Sequence, residues 1–316
     1  ALSYELKKDE KKLFLMDSKD ILPGFYFFEF ALQEGPVLLK RKLGNQIVWK
    51  EFLTNGSEDV RKRKETVLDT IAKYSVPNSY KAAAYFEKGY HLEEAEQMLL
   101  DEIIGVNQRQ DCSDFHFTTI LTTYLKHQDE MSDKVKAVIK DAALNYRYWI
   151  DEPGDDVMWF FSENHALLFH TCQYLAGRLF PEDVFTNSGK SGAEVSARGR
   201  KLLEEWFEEF FREFITEWNS NAYIPVDVHG LAAIYNVTDK EDKLHEMAKK
   251  ALDMVSYSLA VNAHKGAVMT SFGRTYEKEM KGNYNAGTTA LLYLFYNEGF
   301  LARNGMGNVA VACGDY

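Results

Sequence analysis

Proline and cysteine are both scarce in this chain of 316 residues, and each scarcity narrows the possible folds. Six prolines leave long stretches without a helix breaker, which indicates a mainly helical protein, because proline inside a helix removes a backbone hydrogen bond. The three cysteines, Cys112, Cys172 and Cys313, are far apart and odd in number. The sequence therefore predicts no disulfide framework and no metal site built on closely spaced cysteines.

Long apolar runs and an excess of basic residues are also missing. No stretch approaches the roughly 18 apolar residues of a membrane span, and no apolar signal-peptide core follows the N-terminus. A secreted or periplasmic location and a cytoplasmic one both stay open. The formal net charge of -11 argues against a nucleic-acid partner, which needs a dense basic surface. An anionic substrate would need positive groups concentrated at its site.

Apolar and aromatic residues are plentiful, at 46% and 14% of the chain, so a sizeable core can form. Residues 1–55 contain "GFYFFEFAL" and "NQIVWKEF", which predict a β-rich N-terminal arm with a turn at "QEGP". Residues 56–300 change to helical periodicity. Residues 301–316, with "GMGNVAVACGDY", return to strand-forming residues and predict a terminal strand.

About ten helices are expected in the central part, joined by short polar segments such as "VPNS" and "NVTDKED". The predicted ranges are 58–75, 79–88, 92–104, 114–129, 132–147, 157–179, 191–216, 226–236, 239–262 and 284–298. No short repeat marks an ankyrin or tetratricopeptide array. The fold class is therefore mainly α, with antiparallel helical hairpins that form a complete or incomplete (α/α) toroid or an open solenoid.

The stretch "DDVMWFFSENHALLFH", residues 155–170, carries much chemistry for a helix so rich in apolar residues. We predict that this helix begins near residue 157, with Asp155 or Asp156 as its N-cap. Consecutive helix positions point in neighbouring directions, so Asn164 and His165 are expected to line one pocket wall. The alternative is a satisfied core histidine beside a polar helix end.

Two later segments also combine polar and aromatic side chains. The segment "EWNSNAY" contains Glu217, Trp218 and Tyr223 just before a predicted helix, where binding groups are common. The segment "FGRTYE" places Arg274 two residues before Tyr276, and a guanidinium is suited to bidentate carboxylate binding. Taken singly, the two segments also fit a capped helix start and a surface ion pair.

The adjacent Asn-His pair, followed by a tyrosine in the context "E-W-x-S-x-x-Y", resembles the α/α-toroid polysaccharide lyases, the alginate lyase and heparinase II/III-like families. The text "SENH" and "FHTCQYLAGRLFP" is also similar to that of large uncharacterised bacterial toroid proteins. This resemblance, over about residues 110–300, implies that Asn164, His165 and Tyr223 are catalytic and that Arg274 adds positive charge. The implied substrate contacts are Trp159, Glu163, His170, Glu217, Trp218 and Tyr276.

The implied reaction is β-elimination in a uronate-containing polysaccharide or oligosaccharide. The proton beside the carboxylate is weakly acidic, so Asn164 and Arg274 would neutralise the charge that develops. His165 or Tyr223 would be the base and Tyr223 the acid, with His165 expected near its ordinary pKa of about 6.5. This chemistry requires no metal or organic cofactor.

Three alternatives stay open. A glycoside hydrolase on the same toroid would use two carboxylates, and Asp155, Asp156, Glu163 and Glu217 are available. A glycan-binding or scaffold protein without catalysis would use the same aromatic residues only for packing and contact. A metal site is less favoured, because His165 and His170 lack the i, i+4 spacing and Glu163 points elsewhere.

Overall fold

The computed structural model describes residues 16–53, 55–282, 284, 286–303 and 305–316. These residues are mainly α-helical, as predicted. The helices are α1 (Val60–Tyr74), α2 (Ser79–Lys88), α3 (Leu92–Asn107), α4 (Ser113–His127), α5 (Asp133–Asn145), α6 (Glu163–Leu179), α7 (Gly192–Glu213), α8 (Ile224–Val237), α9 (Lys243–Asn262), α10 (Glu277–Lys281), α11 (Gly287–Tyr296) and α12 (Met306–Ala312). The strands are β1 (Gly24–Glu34), β2 (Val37–Ile47), β3 (Ala263–His264) and β4 (Ala267–Val268).

The predicted N-terminal hairpin is present in β1 and β2, which pair antiparallel from Gly24 opposite Ile47 to Glu34 opposite Val37. Only the first three residues of the predicted segment "NQIVWKEF" belong to β2, and Lys50–Leu53 form a 3-10 helix. The turn falls at "GP", as the sequence indicated, and Gly35 adopts a φ of 57°, which glycine accepts without steric cost. The part of the predicted arm before residue 16 lies outside the described residues.

All ten predicted helices are present, but α6 begins later than expected. Ser162 is its N-cap and accepts a hydrogen bond from the backbone N–H of His165, whereas residues 155–161 are not helical. Asp156 does not cap the helix, because both of its carboxylate oxygens accept hydrogen bonds from Arg147. The delayed start places Asn164 and His165 in the first turn of α6.

The prediction of a terminal strand is wrong, since the tail forms helix α12. Val309 and Val311 are buried there in the main core, and α12 packs against α1, α8 and α11. The modest strand preference of valine is outweighed by burial of both side chains in the core. Helix α10 was also not predicted from the sequence.

Helices α2, α4, α6, α8 and α12 contact one another in succession, and α12 also contacts α2. Helices α3, α5, α7 and α9 each pack on the helix that precedes them in the chain. Gly177 allows α6 and α7 to approach closely, because a Cβ at this position would collide with the backbone of Gly192 and Ser196. Among the described residues, no helix is long and apolar enough to cross a membrane.

Candidate functional site

The candidate site lies where helices α4, α6 and α8 begin. The side chain of Asn164 in α6 is only 1% exposed and donates from Nδ2 to Glu217 Oε2 over 3.1 Å. Its Oδ1 accepts a hydrogen bond of 3.1 Å from Ser162 Oγ. Asn164 is thus a buried support for Glu217, rather than a free amide that faces a cavity.

Glu217 connects the start of α6 to the guanidinium of Arg274. Its Oε1 lies 3.0 Å from Arg274 Nη1, and the Arg274 side chain is 45% exposed. The guanidinium carbon stands 4.2 Å from the ring centre of Tyr223 and 5.7 Å from that of Tyr276. The two phenol oxygens are 2.6 Å apart. One cation therefore lies beside two hydrogen-bonded phenols.

The loop that carries Glu217 is held by side chains from both ends. Glu163 Oε2 accepts hydrogen bonds from the backbone N–H and the hydroxyl of Thr216, at 2.8 and 2.6 Å, and from the N–H of Glu217. Ser220 Oγ donates to the carbonyl oxygen of Arg274 and accepts from the N–H of Tyr223. Glu163 and Ser220 therefore position the loop, whereas Glu163 was predicted to contact substrate.

His165 is held by a partner that the sequence analysis missed. Its Nδ1 lies 2.9 Å from Oδ2 of the fully buried Asp114 at the start of α4, and its ring stacks on Phe115 at 4.8 Å. Burial alone would lower the pKa of His165, but hydrogen bonds with Asp114 and Cys112 outweigh it and raise that pKa to about 10. Burial also raises the pKa of Asp114, while the hydrogen bond with His165 opposes the rise. The expectation of an ordinary pKa for His165 is therefore wrong.

Tyr223 differs from His165 because it is half-buried and reaches the exposed Tyr276. Burial first, and then the hydrogen bond with Tyr276, raise the pKa of Tyr223, while the charge of Arg274 opposes the rise. The phenol is therefore protonated in the free protein and can donate.

A further carboxyl group lies beneath the site, and the sequence analysis did not select it. Asp227, in the first turn of α8, is buried, and its Oδ1 has no hydrogen-bond partner among the described residues. Burial raises its pKa well above the ordinary value, and the charges of Glu163 and Glu217 add to the rise. Its acidic side chain in the apolar text "IPVDVHGLAAIY" was the signal that could have identified it.

Aromatic side chains stand exposed in the segments that lead into α6 and α8. Trp159 is 56% exposed in the segment before α6, and Trp218 is 49% exposed in the loop before α8. Phe161 and Tyr276 are exposed as well. Exposed rings of this size beside a polar site offer flat faces for a ligand.

His170 does not belong to this site, which corrects its interpretation as a substrate contact. It is buried in α6 with its ring 4.3 Å from that of Trp149, and burial lowers its pKa to about 3. Five residues beyond His165, the side chain projects toward another part of the core. It is a neutral core histidine.

A second side-chain group was also missed. Asp111, Cys112 and His165 have potential ligand atoms within 4.8 Å of one another. The group could not be predicted from the sequence because His165 lies more than fifty positions after Asp111 and Cys112, although "DCSD" at a helix start concentrates ligand-type side chains.

No protein-family model, curated protein or solved structure matches the chain. A function for this chain is therefore inferred from the geometry of the site.

Proposed function

We propose that the protein cleaves a uronate-containing glycan by β-elimination, with Arg274 holding the carboxylate and Tyr223 moving the protons. The observation that carries this proposal is the exposed guanidinium of Arg274 beside the two phenols of Tyr223 and Tyr276. A cation and a proton-transfer group within a few ångströms are the two things that elimination next to a carboxylate requires.

Arg274 is suited to bind the carboxylate because a guanidinium has five N–H donors, and its contact with Glu217 is made through Nη1. Glu217 keeps the guanidinium in place, and Asn164 keeps Glu217 in place. The guanidinium places a positive charge at this point in a chain of net charge -11, although Glu217 shares that charge. The starts of α6 and α8 add partial positive charge.

Tyr223 is the better candidate than His165 for both proton transfers: it first passes its own proton through Tyr276 to solvent beside the charge of Arg274, and it then takes the carbon proton as a phenolate. In the reaction, the base takes the proton from the carbon next to the carboxylate, and the electron pair forms the new carbon–carbon double bond. The bond to the 4-linked oxygen breaks, and that oxygen receives a proton. Tyr223 is accessible and hydrogen-bonded to Tyr276, which can relay the proton, whereas His165 is buried and tied to Asp114.

The fold that goes with this proposal is an (α/α) toroid. The succession of contacts from α2 through α4, α6, α8 and α12 back to α2 supports an inner ring of helices. Trp159 and Trp218 would stack on sugar residues at the open end of the inner helices.

A screen of uronate-rich polysaccharides tests the proposal, because elimination creates an ultraviolet-absorbing double bond in the product. The variant Tyr223→Phe is expected to lose product formation while it retains folding and substrate binding. The matched control is Tyr257→Phe, since Tyr257 is 70% exposed on α9. Full activity of Tyr223→Phe on a substrate that the protein cleaves would contradict the mechanism.

The second candidate is a glycoside hydrolase, which the neighbouring carboxyl groups of Glu163, Glu217 and Asp227 favour. Hydrolysis needs one carboxylic acid and one carboxylate on either side of the bond. The same screen separates the two reactions, because hydrolysis yields new reducing ends without the ultraviolet-absorbing product.

A further inference from the structure

The turn before α4 and the first turn of α6 bring three different ligand types together. Asp111 supplies a carboxylate, Cys112 a thiol and His165 an imidazole, and their ligand atoms lie within 4.8 Å of one another. Asp111 is exposed, Cys112 is half-buried and His165 is buried. The three side chains therefore extend from the surface inward to His165, whose ring contacts the buried Asp114.

The imidazole is oriented in the way that a metal ligand requires. Its Nδ1 is bound by Asp114 over 2.9 Å, so Nε2 is the nitrogen left for the group formed with Asp111 and Cys112, and a metal ion there would displace the Nε2 proton. Histidine ligands usually donate their other ring N–H to a carboxylate, which fixes the ring and raises its basicity. Phe115, stacked at 4.8 Å, holds the ring plane.

A cavity open to the outside borders Asp111 and Cys112, two of the three ligand residues. It has a volume of about 180 Å³, and Asp111, Cys112, Glu102 and His116 are among the residues that line it. A small hydrated cation fits such a space, and the cavity also has room for water at an open coordination position.

We propose that Asp111, Cys112 and His165 form a site for a zinc-like transition-metal ion with one open coordination position. Thiolate and imidazole ligands select such an ion over Mg²⁺ or Ca²⁺, which prefer oxygen atoms only. Zinc binds sulfur at about 2.3 Å and nitrogen or oxygen at about 2.0–2.2 Å, so binding draws the three ligand atoms closer together. The exposed Asp111 side chain is free to rotate inward.

The site does not depend on the elimination reaction, although the two lie close together. Cys112 and Tyr223 both pack against the small cluster of Phe115, Leu168 and Val226. A bound cation there would add positive charge near the candidate substrate position.

Titration of chelator-treated protein with Co²⁺ tests this proposal through a readout that needs no activity. Cobalt bound to a thiolate gives an intense near-ultraviolet charge-transfer band, and we expect this band to saturate at one ion per chain and to be displaced by Zn²⁺. Cys112→Ser should abolish the band. Cys313→Ser is the matched control, since Cys313 is another half-buried cysteine, outside the group, and its loss should leave the band unchanged.

Two further variants guard against a folding defect. Asp111→Asn changes an exposed side chain and should weaken Zn²⁺ affinity with no change in the circular dichroism spectrum. Asp114→Asn should weaken affinity by roughly 10- to 100-fold and keep the charge-transfer band, as is usual for a residue that orients a ligand. Absence of the band in the wild-type protein, or its persistence in Cys112→Ser, would overturn the proposal. Loss of lyase activity has no bearing on either result.

Discussion

Asn164, in the first turn of α6, donates a hydrogen bond of 3.1 Å to Glu217, fifty-three positions later in the chain. Through Glu217 the contact continues to Arg274, so a buried amide determines where an exposed guanidinium stands. The pair joins a helix start to the loop before α8, and it links the stability of the fold to the geometry of the site.

Asn164→Ala removes this link and is expected to lower both stability and activity. Deleting a buried hydrogen-bond partner leaves groups of Glu217 and Ser162 unsatisfied and costs about 1–3 kcal/mol. Urea unfolding measures this cost, and the steady-state rate measures the displacement of Arg274. Unchanged values of both would mean that the contact does not form in solution.

Arg274→Lys tests the role of the guanidinium. Lysine keeps the charge but lacks the planar fork, so the KM for a uronate substrate should rise about 10-fold, equivalent to about 1.4 kcal/mol. Arg212→Lys is the control, because Arg212 is an exposed arginine at the end of α7 with acidic neighbours of its own. An equal effect in both variants would remove the special role of Arg274.

Asp227→Asn is expected to stabilise the protein at neutral pH. The pKa of Asp227 is raised in the folded state, so the folded protein holds that proton more tightly than the unfolded chain. Stability is then lost as the pH rises above the unfolded pKa of about 3.9, and the amide removes this loss. Unfolding at several pH values should show a gain that shrinks toward pH 4. A gain that is independent of pH would contradict the raised pKa.

Two glycine substitutions test the close packing of α6 against α7. Gly177→Ala places a methyl group against the backbone of Gly192 and Ser196. Because backbone atoms of a packed helix cannot easily move aside, Tm should fall by several degrees. Gly105→Ala is the control in α3, where the new methyl group meets only the end of the Gln110 side chain. Alanine favours helix by up to about 1 kcal/mol over glycine, so this variant should keep or raise Tm.

The helices were largely predictable because their periodicity is a local property of the chain. The start of α6 was not, since Asp156 is a good N-cap by type but is occupied by Arg147. The helical tail was missed for a related reason: Val309 and Val311 adopt the conformation that buries them among α1, α8 and α11.

The site was predictable in part. The sequence identified Asn164, Glu217, Arg274 and Tyr223, and the structure connects them through hydrogen bonds and ring contacts. It could not supply Asp114, because the contact with His165 spans fifty-one positions and depends on how α4 meets α6.

The hydroxyl of Ser220 bonds both the carbonyl oxygen of Arg274 and the N–H of Tyr223. We expect this contact to affect the rates of ligand binding and turnover. The chain from Gly273 to Tyr276 is fastened to the loop before α8 by this bond, by the backbone bond from Gly273 to Trp218 and by the bond from Thr275 to Asn221. If this segment moves outward, the guanidinium of Arg274 and the phenol of Tyr276 leave the site together. Ligand binding and turnover would then depend on the same motion, and Ser220→Ala should alter both rates together.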